Sequence, residues 1–446
     1  MNLNNGRFKK FLLIVGGFLL ALFAIFAISY MILNIKWGGE LNRELEKLKN
    51  SGEPMTIKDI SPAVLAPSDN ASAEYMQIFS LMTDGTFSKK SSGGDGKDLK
   101  ELNALCLSSK TMEDYEGQCR KNSARIGEIL DKESFRQIYE LCQKAASKPG
   151  VNFDLNYEDG PALLLPHLGC VRSISRLMRL KAEMELHEGR REKGWETILT
   201  GFKLNSQLKT EPLLISQLVY FAGYNSYFDF IAYNLPRYGI SDEQAGKLIL
   251  ELTPDRIAYA QSMRNAINAE RICLGGWVYE RLLSGSLNTS EIIGMTNSPN
   301  TGYFMPFMYI FKPFAKKDYL EYLKIMERYN AEFNQPYYKI AFSMEKAGDE
   351  MIKSLPKYCF LSRLLCPALG RMRLKTAEMS TRSQEMRLML ALEEYKNLKK
   401  EYPDKIEQLS TQFMPAMPVS ELTGRPFEYS RESGGYNISG GISVKK

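Results

Sequence analysis

The chain of 446 residues holds two histidines, three tryptophans and seven cysteines without one C-x-x-C pair. Each scarcity excludes something. Without C-x-x-C spacing there is no zinc ribbon and no thioredoxin-type redox motif. H-E-x-x-H, G-x-S-x-G and G-x-G-x-x-G are missing too, which removes the fingerprints of zinc proteases, α/β-hydrolases and dinucleotide binders. Gly96-Lys97 does not complete a phosphate loop, because Ser91 stands where the earlier glycine belongs. One-sided charge is also lacking. The 58 basic and 52 acidic residues leave +6, too even a balance for a dedicated nucleic-acid binder. Neither a nucleic-acid partner nor a cofactor is expected.

The scarce residues offer little chemistry. His167 and Cys170 stand one helical turn apart, but no further ligands accompany them, so no metal site is expected. Glu183 with Glu185, and Glu270 beside Arg271, fall in helical stretches where solvated ion pairs are the expectation. No catalytic residue is assigned. A hydrolase that assembles carboxylates from distant segments is the enzymatic alternative.

What the chain does have is Phe11 to Ile35, FLLIVGGFLLALFAIFAISYMILNI, without a single charge. At 1.5 Å per residue this run extends roughly 37 Å as a helix, enough to cross a hydrocarbon core of about 30 Å with some tilt. A cleaved signal peptide has a shorter apolar stretch and a small-x-small site. Here Ala21, Ala24 and Ala27 are spaced by three. An uncleaved single-pass anchor is therefore expected. Tyr30 and Trp37 mark its far end. Arg7, Lys9 and Lys10 flank the near side, against Lys36 on the far side. The positive-inside rule then places the N-terminus in the cytoplasm and the body outside it, on the periplasmic face of a bacterial inner membrane. In that compartment Cys106 with Cys119, and Cys359 with Cys366, are the candidate disulfides. Buried free thiols are the alternative.

Beyond the anchor the patterning is mainly α. Leu41–Leu48 reads as a short charged helix stopped by Ser51-Gly52-Glu53-Pro54, and Asn70 as a helix cap. Ser123–Ser147 shows helical spacing, and Pro161 is expected to open the next helical region. Leu163–Leu208 reads as a helix hairpin turning at Glu188-Gly189-Arg190. Pro212–Tyr233 is an aromatic helix ended by Pro236, and Ser241 caps the next. Asp255–Leu283 reads as one long helix, and Asp318–Ser354 as helix kinked at Pro336. Tyr303–Phe314 reads as core filling or as an apolar surface patch. Lys353–Arg387 is locally basic, a solvated face or a headgroup-attracting one. The array resembles an α-hairpin or solenoid arrangement without a fixed period. Expected domains are 1–37 (stub and anchor), 38–160 (membrane-proximal helices), 161–387 (helical array) and 388–446 (a C-terminal module).

That last module carries Ala391-Leu392-Glu393-Glu394-Tyr395, Glu401-Tyr402-Pro403-Asp404, Ile406, Leu409, Pro415, Pro418 and Gly424-Arg425-Pro426-Phe427-Glu428-Tyr429. Gly434-Gly435-Tyr436-Asn437-Ile438-Ser439 follows. Alternation around Gly434-Gly435 signals a β-hairpin on its own. The stretch resembles the end of the globular domain of the major pseudopilins of type II secretion. It covers about 60 residues. That resemblance implies a helix followed by a proline loop and a hairpin. Where pseudopilins bind calcium, this chain reads Pro418-Val419-Ser420-Glu421, one acid instead of several hard oxygen ligands. No calcium is carried over. The apolar run also lies far upstream of this module, so a pilin subunit is not implied. The whole chain resembles bacterial single-pass, membrane-anchored helical proteins, which implies architecture and no activity. The expected function is a membrane-anchored extracytoplasmic scaffold or binding protein with protein partners. An accessory of a secretion or pilus-like envelope system is the alternative.

Overall fold

A computed structural model describes residues 5–83, 96–254, 258–287, 312–366, 369–409, 413–414 and 416–440. The chain is mainly α, as its patterning predicts, with one long apolar helix at the N-terminal end and a two-stranded antiparallel sheet near the C-terminus. In chain order the main helices begin with α1 (Asn5–Asn50), α2 (Ser72–Met82), α3 (Lys97–Leu102), α4 (Met112–Lys121), α5 (Ser123–Leu130) and α6 (Glu133–Ala146). The hairpin region and its successors are α7 (Pro166–His187), α8 (Arg191–Ser206), α9 (Leu214–Tyr238), α10 (Asp242–Glu251) and α11 (Tyr259–Ala269). Then come α12 (Trp277–Ser284), α13 (Lys312–Ala331), α14 (Tyr337–Ser354), α15 (Phe360–Leu365) and α16 (Met372–Lys399). Strands β1 (Glu428–Glu432) and β2 (Gly435–Ser439) close the described chain.

Two compact units form from discontinuous stretches, an assembly that no reading along the chain delivers. The first takes Met1–Asp59, Arg271–Arg328 and Ala347–Ala368. The second takes Ile60–Glu270, Tyr329–Lys346 and Leu369–Lys446.

In the first unit α1 is long and apolar enough to cross a membrane, and its apolar window is not buried against anything. The same helix continues without a break to Asn50, where Leu41 and Leu48 are buried. The separate short helix expected at Leu41–Leu48 is therefore the last turns of α1. It runs on through Gly38-Gly39, where Lys316 lies against Gly38 and Lys317 reaches Glu40 at 3.6 Å. Gly52, at φ +78°, ends it as expected. Tyr279 stacks on Tyr319 with ring centroids 4.5 Å apart. A Cβ at Gly275 would overlap the Tyr322 ring. That glycine lets the neighbouring segments approach closely. Buried Asp318 accepts from the backbone N–H groups of Leu361 at 2.9 Å and Ser362 at 3.1 Å, the first turn of α15. A carboxylate there meets N–H groups that the helix leaves unpaired.

In the second unit α7 and α8 form the expected hairpin, and Gly189 takes the left-handed conformation at φ +79°. α9 packs on both arms and supplies an aromatic core. Phe202 meets Tyr224 edge-on at 4.9 Å, and Tyr220 meets Tyr224 at the same distance. Tyr227, Phe228 and Phe230 are buried with them, while Tyr233 is only half-buried. α16 lies against α9, α10 and α11. Its second half, from Leu388, carries the C-terminal module. Leu388, Leu392, Leu409 and Phe427 are buried together there. β1 and β2 pair in register, Tyr429 opposite Ile438 and Glu432 opposite Gly435, around Gly434 at φ +84°. Tyr429 donates its hydroxyl to the carbonyl of Pro403 at 2.6 Å, which ties hairpin to helix end.

Several boundaries differ from the sequence expectation. Ser123–Ser147 is two helices, because the chain turns at Asp131-Lys132. Pro161 sits in a 3₁₀ turn beside Gly160 at φ +54°, and Pro166 opens α7 instead. Pro236 does not stop α9. It stands in the last turn, and Gly239 terminates the helix. Asp255–Leu283 is not continuous: α11 passes through a π turn at Glu270–Gly276 into α12. Asn70 does not occupy the cap position of α2, which is Ala71. Its side-chain oxygen still accepts from the N–H of Ser72 at 3.1 Å. The break at Pro336 is where it was expected. Residues 303–311, most of the apolar aromatic segment, lie outside the described residues.

Candidate functional site

The titratable residues singled out from the sequence are mostly inside the second unit. His167 and Cys170 share the first turns of α7, and His167 faces Glu211. Its Nε2 meets both oxygens of Glu211, at 3.1 and 3.0 Å, and its ring lies 4.3 Å from that of Phe153. Ser216 donates its hydroxyl to the same carboxylate. Serine, glutamate and histidine are thus joined with the acid in the middle. Nucleophile activation needs the imidazole in the middle, facing the hydroxyl. All three side chains are buried. The trio is a polar tie between α7 and the start of α9.

His187, the other histidine, ends α7, where a cation is favoured by the helix dipole. Its Nε2 lies 3.0 Å from Glu183 and 3.5 Å from Glu116. Glu183 is fully buried and also accepts from Asn234 Nδ2 at 2.9 Å. Glu185, also buried, pairs with Lys181 at 2.8 Å and accepts from Thr197 at 2.7 Å. The expectation of solvated ion pairs at Glu183 and Glu185 is therefore corrected. Both point into the helix packing, where Asn234 and Thr197 give them the bonds that water would otherwise supply. A sequence signal existed: Glu183–His187 and Lys181–Glu185 are both i, i+4 pairs. Likewise Arg271 is buried, and burial lowers its pKa from the ordinary value. It donates to the carbonyl of Pro54. Burial pushes Glu270 up to about 7 against one backbone bond from Leu214.

All seven cysteines are buried free thiols. Cys106 and Cys119 lie thiol to thiol, and that hydrogen bond, with burial, pushes the Cys119 thiol far up. Burial pushes Cys359 and Cys366 up to about 12. A thiol so raised is a poor nucleophile at neutral pH. Among the described residues no three His, Cys, Asp or Glu side chains converge as a metal site.

One of the open clefts of the second unit has a volume of about 750 Å³ and is walled by Tyr238. The α7–α8 turn, the α9–α10 junction and the end of α16 frame it. Arg190, Arg191, Lys193 and Lys400 line it, against Glu192 and Asp242. The backbone is held by side chains. Trp195 Nε1 donates to Gly239 O at 2.8 Å, Arg191 to Tyr238 O at 3.1 Å, and Asn397 to Ile240 O at 2.7 Å. Ser241 caps α10 as expected. The Tyr238 ring lies on the cleft wall, 6.3 Å from the ring of His187. This is a basic rim with a fixed floor. Sequence reading missed it, since its residues come from positions far apart in the chain.

Compared with known protein families, curated proteins and solved structures, the chain matches none.

Proposed function

We propose that the chain is a single-pass membrane protein whose helical body stands outside the cytoplasm and serves as a scaffold or binding module. One observation carries this reading. The helix that holds Phe11–Ile35 is the same helix that buries Leu41 and Leu48. Cleavage at the end of the run would divide this continuous helix just ahead of its buried end. The basic residues Arg7, Lys9 and Lys10 favour a cytoplasmic N-terminus. Protein recovered from membranes should retain peptides from residues 11–35. A mature N-terminus beyond Ile35 would contradict the anchor.

The basic cleft supports a binding role, with an acidic protein segment as occupant. A photo-crosslinker at Lys193 should trap a discrete partner in the cell envelope. Charge reversal at Arg190 and Lys400 should abolish the adduct, and an unchanged adduct would rule the cleft out as the docking site. The second reading, an accessory of a secretion or pilus-like machine, draws on the C-terminal helix, Tyr402-Pro403 and the β1–β2 hairpin. It expects secretion components among the trapped partners.

A further inference from the structure

At the base of the first unit the lipid-length run meets a collar of rings and cations. Trp37 is two residues beyond Ile35, about 3 Å along the helix axis. Its ring lies 5.2 Å from Phe314 and 6.2 Å from Tyr358, and those two are 5.1 Å apart. Lys316 donates to the carbonyl of Asn34 at 3.4 Å, within the last turn of the apolar run. The start of α13 therefore reaches down to the level where the run ends. Tyr358 leads directly into α15. That short helix buries Leu361 and Ser362 and turns Phe360 and Leu364 outward, 40% and 42% exposed. The two are four residues apart, on one face. Lys353 and Lys357 are exposed just before it. Asp318 and Ser362 fix the helix from the inner side.

We infer that α15 and the Tyr358 loop form a second, interfacial membrane contact, dipping into the headgroup layer of the bilayer that α1 crosses. The inference rests on the anchor reading and deepens it. Three observations choose the bilayer as occupant. The exposed apolar side chains adjoin the end of the lipid-length run through the Trp37–Tyr358 contact. Tryptophan and tyrosine at that level are the residues that favour the lipid–water boundary. Lysines beside an apolar helix face are the pattern of an interfacial helix on anionic lipid. The body is then seated on the membrane at two points, so its tilt about the base of α1 is restricted.

The test uses the full chain reconstituted in phosphatidylcholine–phosphatidylglycerol vesicles. A polarity-sensitive fluorophore is attached at single added cysteines, Leu364→Cys, Leu20→Cys and Lys399→Cys; the native thiols are buried. The probe at 364 should emit blue-shifted, and iodide should quench it roughly threefold less than the probe at 399. The protection should persist when protein is diluted in lipid and should fall in the Lys353→Glu/Lys357→Glu variant. A wet probe at 364 with a dry probe at 20 would overturn the interfacial contact and leave the anchor standing. Wet probes at both would overturn anchor and contact together. Protection at 364 that disappears on dilution in lipid would assign the face to a second copy of the chain and overturn the lipid assignment.

Discussion

At the residue scale, burial sets the behaviour of the ionisable groups. Glu183 is inside the packing with His187 and Asn234 as its partners. Glu183→Ala would take the acceptor from the Asn234 amide and leave His187 only the longer contact with Glu116, at 3.5 Å. Removing one member of a buried charged network costs about 3 kcal/mol, so the urea midpoint should fall well below that of the parent. An unchanged midpoint would show the network to be incidental. Glu270, Glu385 and Glu394 are each pushed up to about 7 by burial. Their folded values lie above the ordinary 4.5. The folded chain thus holds protons that the unfolded chain releases. The stability they give is full below about pH 4.5 and is lost as pH rises through about 7. Glu270→Gln removes one such ionisation. It should leave stability nearly unchanged at pH 5 and raise it at pH 8, read as the shift of the denaturant midpoint. A variant weaker than the parent at pH 8 would contradict burial as the cause.

At the element scale, close approach decides which helices meet. A Cβ at Gly223 on α9 would overlap Asn205 on α8, whose side chain donates to Tyr220 O at 2.7 Å. Gly223→Ala should force the two helices apart or break that bond. Overpacking of this kind costs about 1–3 kcal/mol. Gly424 combines two demands: φ is +69°, and a Cβ there would stand 2.6 Å from the Tyr338 ring. Gly424→Ala should loosen the C-terminal module selectively, seen as faster amide exchange in β1 and β2. Equal exchange in parent and variant would show that the glycine is not needed.

These elements also show how far the sequence could be read. The α7–α8 hairpin, the Ser241 cap, the break at Pro336 and the β1–β2 turn each depend on a local signal, a glycine, a cap or a proline with its fixed φ. They stand where those signals are. Pro161 and Pro236 misled because a proline is tolerated in the first turn and can be carried in the last, with its lost bond near a helix end. The π turn at Glu270–Gly276 has no such local signal; its Gly275 packs against Tyr322, far along the chain. The cleft was illegible for the same reason. Arg190, Asp242 and Lys400 are brought together by tertiary packing, and no spacing along the chain records that.

At the scale of the whole molecule, α1 is the organising element. It begins as a run of mostly exposed apolar side chains, long enough to cross a membrane, and ends as a buried strut of the first unit. Lys47 pairs with Glu327 at 2.7 Å and Lys317 bridges Glu40 and Glu321, which lock that strut to α13. The exposed Lys47–Glu327 pair contributes little, roughly 0–1 kcal/mol. The burial of Leu41 and Leu48 contributes more, about 1.5–3 kcal/mol for each fully buried side chain. Leu48→Asp should therefore loosen the joint between anchor and body. Limited proteolysis after residue 50 should then speed up, while the membrane fraction of the N-terminal piece stays the same.

The central claim is an anchored body on the far side of the membrane. Labelling with a membrane-impermeant maleimide in sealed, right-side-out membranes tests it most directly. The target is Lys399→Cys, at an exposed position of α16, in protein that resists a high-salt wash. The account predicts that residue 399 labels fully before lysis, while a cysteine at residue 6 labels only after lysis. Labelling at 399 only after lysis, or loss of the protein into the wash, would contradict it.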